Sequence, residues 1–321
     1  MPSVDVTIVI VSFNTRELLS RCLKALPAAV SPFGYETIVV DNGSMDGTIP
    51  MIRERYPEVR LLERPDNPGF AASTNAGLGM AAGPLWVWLN PDCEPRPGSL
   101  ATLARYVEAH DQVGAAGPRL IYPDGRTQPS AQTFPHASLV LYRFLRLGRL
   151  ARVNWIRRLL RTHGGPTTRG YAAALDPASA PRSVDWVTGA CLVTRADRAR
   201  SVGPLDEGYF MYCEDTDWCQ RVRAAGLEVH QVPESTVVHH VGASAASNPM
   251  LTFHFYRSML RYFRRYRPRE FGLLRAVMLF LFGVRGIASE FVYMFRRGRA
   301  HPWWRLAALC ACSAAWPRVK A

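Results

Sequence analysis

Val6-Thr7-Ile8-Val9-Ile10-Val11-Ser12 is a run with six β-branched residues in seven and no charge. A strand that is apolar on both faces, with no alternation, fits a parallel sheet covered by helices on each side. Just beyond it, Asn14 stands three residues before Glu17, a capping-box spacing that predicts a helix start. Leu18, Leu19, Cys22, Leu23 and Leu26 supply the apolar stripe of that helix. The alternation continues: strand 37–40, an Asn-Gly-Ser turn, a helix through Ile52, strand 59–62, and a Gly/Ala/Asn-rich helix over 70–82. A strand at 85–89 ends in Asn90-Pro91-Asp92, and a helix over 99–110 and a strand at 113–116 complete the series. The series predicts an α/β fold, a doubly wound and mostly parallel sheet flanked by helices. Its ligand site belongs at the carboxyl ends of the strands.

Residues 128–183 give weaker signals. They are Arg-rich between Arg143 and Arg169, punctuated by Gly and Pro, and read as a mobile basic excursion holding a short helix or two. Strand pattern returns at 186–193, a helix is expected over 215–225, and strands follow at 228–232 and 236–240. From 248 the pattern is helical, aromatic and basic.

The net charge of +13 is concentrated in that last part. Residues 251–321 hold fourteen Arg and Lys against Glu270 and Glu290, so the other 250 residues are close to neutral. Such a tail implies a polyanionic partner, nucleic acid or an anionic lipid surface. Its arginines stand beside long apolar runs and no nucleic-acid motif accompanies them, which favours lipid over nucleic acid. The longest uncharged stretch within 273–295 is nine residues, Ala276 to Val284. A span needs about 20, so none is expected. Seven cysteines with no CxxC pair read as small apolar residues of a reducing compartment. No basic segment precedes the first apolar run, and Ser12 and Asn14 interrupt it, so no signal peptide is expected and the chain reads as cytoplasmic.

Polar residues cluster at the strand ends. Ser12 and Asn14 end the first strand; Asp41, Asn42, Ser44 and Asp46 the second; Asn67, Gly69 and Asn75 follow the third; Asn90 and Asp92 end the fourth. Singly these are ordinary turn residues; four successive ends loaded with acids and amides point to a ligand. No GxGxxG opens the first helix and no GxxxxGK[ST] occurs, which removes the usual dinucleotide and P-loop readings. Phosphates would then be met by amide groups or by a cation on Asp92, a hard oxygen ligand. A second constellation spans 207–218, where Glu207, Glu214, Asp215 and Asp217 interleave with aromatics. A carboxylate there suits a general base, although Asp215 at a helix start is equally a simple cap. Helical spacing puts Asp215, Trp218 and Val222 on one face and pairs Asp217 with Arg221 on another. His239 and His240 end a strand and must point to opposite faces.

Ile8-Val9-Ile10-Val11-Ser12-Phe13-Asn14, Val40-Asp41-Asn42-Gly43-Ser44-Met45-Asp46-Gly47, Asn67-Pro68-Gly69-Phe70 with Asn75, and Leu89-Asn90-Pro91-Asp92 together resemble the family-2 inverting glycosyltransferases of the GT-A fold, rhamnosyltransferases in particular. Val187-Thr188-Gly189-Ala190, the 206–217 run and 239–244 continue the likeness in order. The resemblance implies transfer of a sugar, rhamnose among the candidates, from a dTDP- or UDP-linked donor to a lipid-linked or glycan acceptor in bacterial cell-surface assembly. It implies that Asp41, with Ser12 and Asn14, meets the donor's base, and that Asn42, Ser44, Asn67, Gly69, Asn75 and Asn90 belong to the donor site. Asp92 matches the last acid of the family's metal motif, for Mg²⁺ or Mn²⁺, while Asn90 replaces the first acid. One of His240 and His239 resembles a metal-contacting residue, with His240 slightly preferred. Asp215 matches the catalytic base with Glu214 beside it, and Trp218 and Asp217 would border the acceptor.

The domain reading is then 1–125 for the donor half, 126–247 for the acceptor and base half, and 248–321 as a basic amphipathic helical tail with Trp303-Trp304. That tail is expected to hold the protein on the inner face of a membrane, at an anionic surface. A nucleotidyltransferase would want a Gly-rich basic loop after the first strand, and Ser-Phe-Asn-Thr-Arg is not one. The intact acids at 92, 214, 215 and 217 weigh against an inactive scaffolding relative at the membrane, which with a nucleotidyltransferase stays as the alternative reading.

Overall fold

A computed structural model describes residues 4–138, 180–240 and 249–296 of the chain. These residues fall into two compact units: 4–134, 180–207 and 214–240 form one, while 135–138, 208–213 and 249–296 form the other. Gly242, Ser244, most of the 128–183 excursion and Trp303-Trp304 lie outside the described residues.

The first unit runs β1 (Val6–Ser12), α1 (Arg16–Val30), β2 (Tyr35–Asp41), α2 (Thr48–Arg55), β3 (Arg60–Glu63), α3 (Phe70–Leu78), β4 (Leu85–Leu89), β5 (Cys93–Pro95), α4 (Ser99–Ala109), β6 (Val113–Ile121) and β7 (Ala131–Gln132). It resumes with β8 (Arg182–Val184), β9 (Trp186–Val187), β10 (Cys191–Arg195), α5 (Ala196–Val202), α6 (Glu214–Ala224) and β11 (Glu228–His239). The main sheet has the order β3-β2-β1-β4-β10-β6-β11-β5, with β8 on β11, and β7 pairs with β9 separately. β1 to β4 are mutually parallel, β10 is inserted antiparallel between β4 and β6, and β11 is parallel to β6.

β1 is buried along its whole length, as its two-faced apolarity requires. Val6, Ile8 and Ile10 join one core with Leu19, Cys22, Leu23 and Leu26 of α1. Val9 and Val11 face the other core with Ala71 and Leu78 of α3, Trp88 of β4 and Trp218 of α6. Each such aliphatic side chain contributes about 1.5–3 kcal/mol by burial. Gly77 lets α3 lie this close, since a Cβ there would come 2.5 Å from Val9 Cγ1 and 3.1 Å from Val40 Cγ2. Gly77→Ala is therefore expected to destabilise the fold by about 1–3 kcal/mol through overpacking, read as a lower thermal midpoint.

Several boundaries differ from the sequence reading. Asn14 does not cap α1; Thr15 occupies that position, and Asn14 holds a left-handed φ of 52°. Its Oδ1 accepts the Met45 N–H at 2.8 Å, a bond between loops in place of a cap. β6 continues to Ile121 through Pro118, and the strands expected at 228–232 and 236–240 are the single β11. The reason is shared: the β6–β11 register shifts between Val232 and Thr236, and Pro118 pairs at that irregularity. A missing ladder N–H is tolerated there. The run at 186–193 splits into β9 and β10 around a turn at 188–190.

In the second unit α7 (Pro249–Tyr266) and α8 (Pro268–Arg296) form a helical pair. Met259, Leu260, Tyr262 and Phe263 of α7 share a core with Leu274, Met278 and Phe282 of α8. Among the described residues no helix is long and apolar enough to cross a membrane.

Candidate active site

The parallel strands β1, β2 and β4 deliver their carboxyl ends to one edge of the sheet. Ser12 pairs directly with Asp41, and Ile10 with Leu89, one residue before Asn90. Asp41 is fully buried. Its Oδ1 accepts the N–H groups of Gly43 at 3.1 Å and Ser44 at 2.7 Å, and its Oδ2 accepts the Ser44 hydroxyl at 2.7 Å. Gly43 makes the turn with φ 83°, where any Cβ would sit 3.3 Å from the Pro65 backbone. Asn42 is locked by the Ser73 hydroxyl at 2.6 Å, and Ser12 by Thr15 at 3.0 Å. Asn67 and Gly69, with φ of 41° and 96°, shape the turn into α3. These residues form a rigid polar rim whose carboxylate is pre-positioned by backbone N–H groups.

Asp92 follows β4 and is 7% exposed. β5 brings the end of β11 against it: His239 pairs with Cys93, and His239 Nε2 lies 3.3 Å from Asp92 Oδ1. Gln128 fixes the same imidazole, its Oε1 3.1 Å from Nδ1. His240 turns the other way, and its Nε2 meets Glu94 Oε1 at 2.8 Å. The expectation that favoured His240 beside Asp92 is thus reversed, because the register of β11 on β5 selects His239. Asp92, Cys93 and His239 each bring a ligand atom within 4.8 Å of the others. Burial pushes the Cys93 thiol well up, and it meets the Ala190 carbonyl at 3.3 Å, so it stays protonated and inward. What remains, a carboxylate oxygen and an imidazole nitrogen, suits a divalent cation that takes its other ligands from phosphate oxygens.

The 188–190 turn ties α6 to this edge. The Asn90 N–H donates to the Ala190 carbonyl at 2.9 Å, and the neighbouring Gly189 N–H donates to Asp215 Oδ2 at 2.7 Å. A Cβ on Gly189 would approach Asp215 Cβ to 3.2 Å. Asp215 Oδ1 accepts the Thr216 N–H at 2.6 Å and its hydroxyl at 3.2 Å. Burial raises the Asp215 carboxyl above the usual aspartate range, opposed by the bonds from Gly189 and Thr216. Glu214 is buried, and its Oε2 has no hydrogen-bond partner. Burial, then the Asp215 charge, pushes its carboxyl well up. Just before α6, Tyr212 and Cys213 hold left-handed φ of 70° and 67°, a strained entry of the kind concentrated at functional sites.

Three expected site residues are placed elsewhere. Trp218 is 1% exposed, packs edge-on against Trp88 at 4.6 Å and donates to the Gly203 carbonyl at 3.0 Å. Asp217 has no exposed surface and takes Arg221 Nε at 3.0 Å, while that guanidinium also ties down the Val202 and Pro204 carbonyls. Both fasten α6 to the 202–204 loop, because the helix turns them inward. Asn75 is likewise a staple, bonded through both ends of its amide to the Leu205 backbone and also to Glu207. With Trp218 it lines a cleft of about 370 Å³ on the α3 and α5 face of the sheet. Sequence reasoning gave no role to Gly189 or Thr216, whose N–H groups orient Asp215; only the presence of Gly189 in Val187-Thr188-Gly189-Ala190 pointed to it.

A mixed, mainly parallel sheet that brings a buried acid at the end of β2, an acid after β4, a histidine at the end of β11 and a carboxylate pair on α6 to one edge is the GT-A architecture. The family model described as "Glycosyl transferase family 2" matches residues 7–167. An N-acetylglucosaminyl-diphospho-decaprenol L-rhamnosyltransferase of Mycobacterium tuberculosis is 34% identical over 256 residues, covering 75% of this chain and 78% of that one. The rhamnosyltransferase WbbL of Escherichia coli is 36% identical over 85 residues, covering 26% of this chain and 32% of that one. In fold, the chain is similar to a mannosyltransferase of Pyrobaculum calidifontis solved with GDP-Man and Mn²⁺. The TM-score is 0.56 at 15% identity, over 96% of this chain and 84% of that one. The chain belongs to glycosyl transferase family 2 and is a glycosyltransferase.

Proposed function

We propose that the enzyme transfers a sugar, L-rhamnose first among candidates, from a nucleotide-diphosphate donor to a hydroxyl of a lipid-linked glycan acceptor, with inversion. The donor nucleotide is taken to be dTDP or UDP. The reaction would belong to cell-surface glycan assembly on the inner face of a membrane, with the enzyme peripheral on an anionic surface. The observation that carries this reading is the meeting of Asp41, Asp92 and Asp215 at one sheet edge, through Ser12–Asp41 pairing and the Asn90–Ala190–Gly189–Asp215 bonds. The rhamnosyl and lipid-linked choices follow the M. tuberculosis relative and the basic C-terminal helices.

Asp41 and the Gly43–Ser44 turn receive the base, and the rim of Ser12, Asn42, Asn67 and Gly69 orients the donor. Asp215 Oδ1 accepts two bonds and Oδ2 one. The second lone pair of Oδ2 is therefore the position that takes the acceptor's proton as the hydroxyl oxygen attacks the anomeric carbon. Asp92 and His239 would hold a divalent cation, which when bound supplies Lewis-acid stabilisation of charge on the departing diphosphate. Burial pushes the Glu214 carboxyl well up, which disfavours a second negative charge beside the base.

A transfer screen with dTDP-rhamnose and UDP-sugars, each with Mn²⁺, Mg²⁺ or EDTA, tests this. Turnover with dTDP-rhamnose is expected to fall at least about 100-fold in EDTA, in line with the several kcal/mol such a cation supplies, and to return on adding metal. Asp92→Ala should lower the affinity for added Mn²⁺. Equal transfer in EDTA would remove the cation from the reading, and no transfer from any nucleotide sugar would remove the reaction.

A further inference from the structure

Among the described residues eight large apolar side chains are strongly exposed, and five of them, Phe255, Leu273, Leu279, Phe280 and Val284, belong to α7 and α8. Of these five, Leu273 is 63%, Phe280 68% and Val284 47% exposed. Positions 273, 277, 280 and 284 recur at helical spacing and form one face about 16 Å long. The opposite stripe, Leu274, Met278 and Phe282, is at most 1% exposed and fills the core against α7. α8 is thus apolar on both sides over this stretch, and among the described residues only the Leu274–Phe282 side is covered.

Among the described residues of α7 and α8 every exposed charge is an arginine. Arg264 and Arg265 end α7, and Arg269 stands one turn before Leu273 on the same face; all three are exposed. The acid nearest in sequence, Glu270, is partly buried and accepts the Ala137 N–H at 2.7 Å. A water-facing apolar stripe preceded by exposed arginines and too short to span is the pattern of a helix lying in a bilayer interface.

We infer that the Leu273–Val277–Phe280–Val284 face of α8 seats the enzyme in the headgroup region of an anionic bilayer, with Arg264, Arg265 and Arg269 on lipid phosphates. This names the docking surface for the membrane-held acceptor of the proposed function and rests on that reading for its purpose. Co-sedimentation of the full chain with phosphatidylglycerol–phosphatidylcholine vesicles, without any acceptor, tests it. Leu273→Ser with Phe280→Ser and Val284→Ser is expected to lower partitioning at least about tenfold. Replacing the three arginines by Gln should lower it by on the order of 100-fold and erase the preference for phosphatidylglycerol. Unchanged circular dichroism and transfer to a water-soluble acceptor establish that the variants are folded. Parental vesicle binding by the triple Ser variant would overturn the inference. So would a dimer in solution that this variant splits without changing vesicle binding, which would give the face to a second copy. Loss of sugar transfer with vesicle binding intact would count against the proposed chemistry and leave the docking surface standing.

Discussion

Asp215→Asn is expected to lower kcat by on the order of 10³-fold while leaving donor affinity within about twofold. The carboxylate is held by N–H donors at 2.7 Å from Gly189 and 2.6 Å from Thr216, so its orientation is set before any acceptor arrives. An amide keeps the size of the group but loses proton affinity, and its NH₂ must face one of those donors. The donor rim at Asp41 shares no hydrogen bond with it, which is why affinity should hold. Isothermal titration with the nucleotide diphosphate separates the two quantities, and kcat within threefold of the parent would exclude Asp215 as base. The same carboxyl sets a pH dependence. Burial raises it above its ordinary 3.8, and the base works only without its proton. Activity should therefore fall as pH decreases through a value higher than an unperturbed aspartate would give. The acid limb of kcat against pH reads this directly. Because Glu214 and Asp215 touch electrostatically, that limb belongs to the pair.

The parts of this site that were legible in the sequence are those where polarity interrupts apolar runs. β1 is apolar without alternation until Ser12, and the acids after β2 and β4 stand out against strands such as Leu85–Leu89, buried throughout. Helical spacing alone paired Asp217 with Arg221, and the bond is present at 3.0 Å. The same spacing could not tell which face of α6 is inward, so Trp218 and Asp217 read as acceptor-facing although Trp88 and the 202–204 loop enclose them. The choice between His239 and His240 was hidden for a related reason. It depends on β11 meeting β5, more than 140 residues earlier in the chain, with His239 opposite Cys93. β6 runs through Pro118 and β11 through Pro233, and the paired irregularity between the two strands absorbs both. Local pattern reports what each segment can bury, while register between distant segments decides which neighbour a side chain receives.

Glu214→Met is expected to stabilise the fold at pH 8 by about 1–3 kcal/mol while lowering turnover. Glu214 Oε2 is buried with no hydrogen-bond partner, beside Asp215, an arrangement that costs stability whenever the group is ionised. The direction with pH follows from the raised folded pKa. As pH rises from the ordinary glutamate value toward the raised one, the unfolded chain releases its proton while the folded chain retains it, so the parent loses stability across that window. Methionine, similar in length and without a charge, escapes this loss. The advantage of the variant should thus be small near pH 4.5 and grow until the folded group ionises, then stay constant. Thermal midpoints at the two ends of that range measure it. A midpoint difference that is the same at both would show that Glu214 titrates normally. Lower turnover in a more stable variant would mark the neutral Glu214 carboxyl as a feature retained for its effect on Asp215, whose proton affinity depends on whether its neighbour is charged.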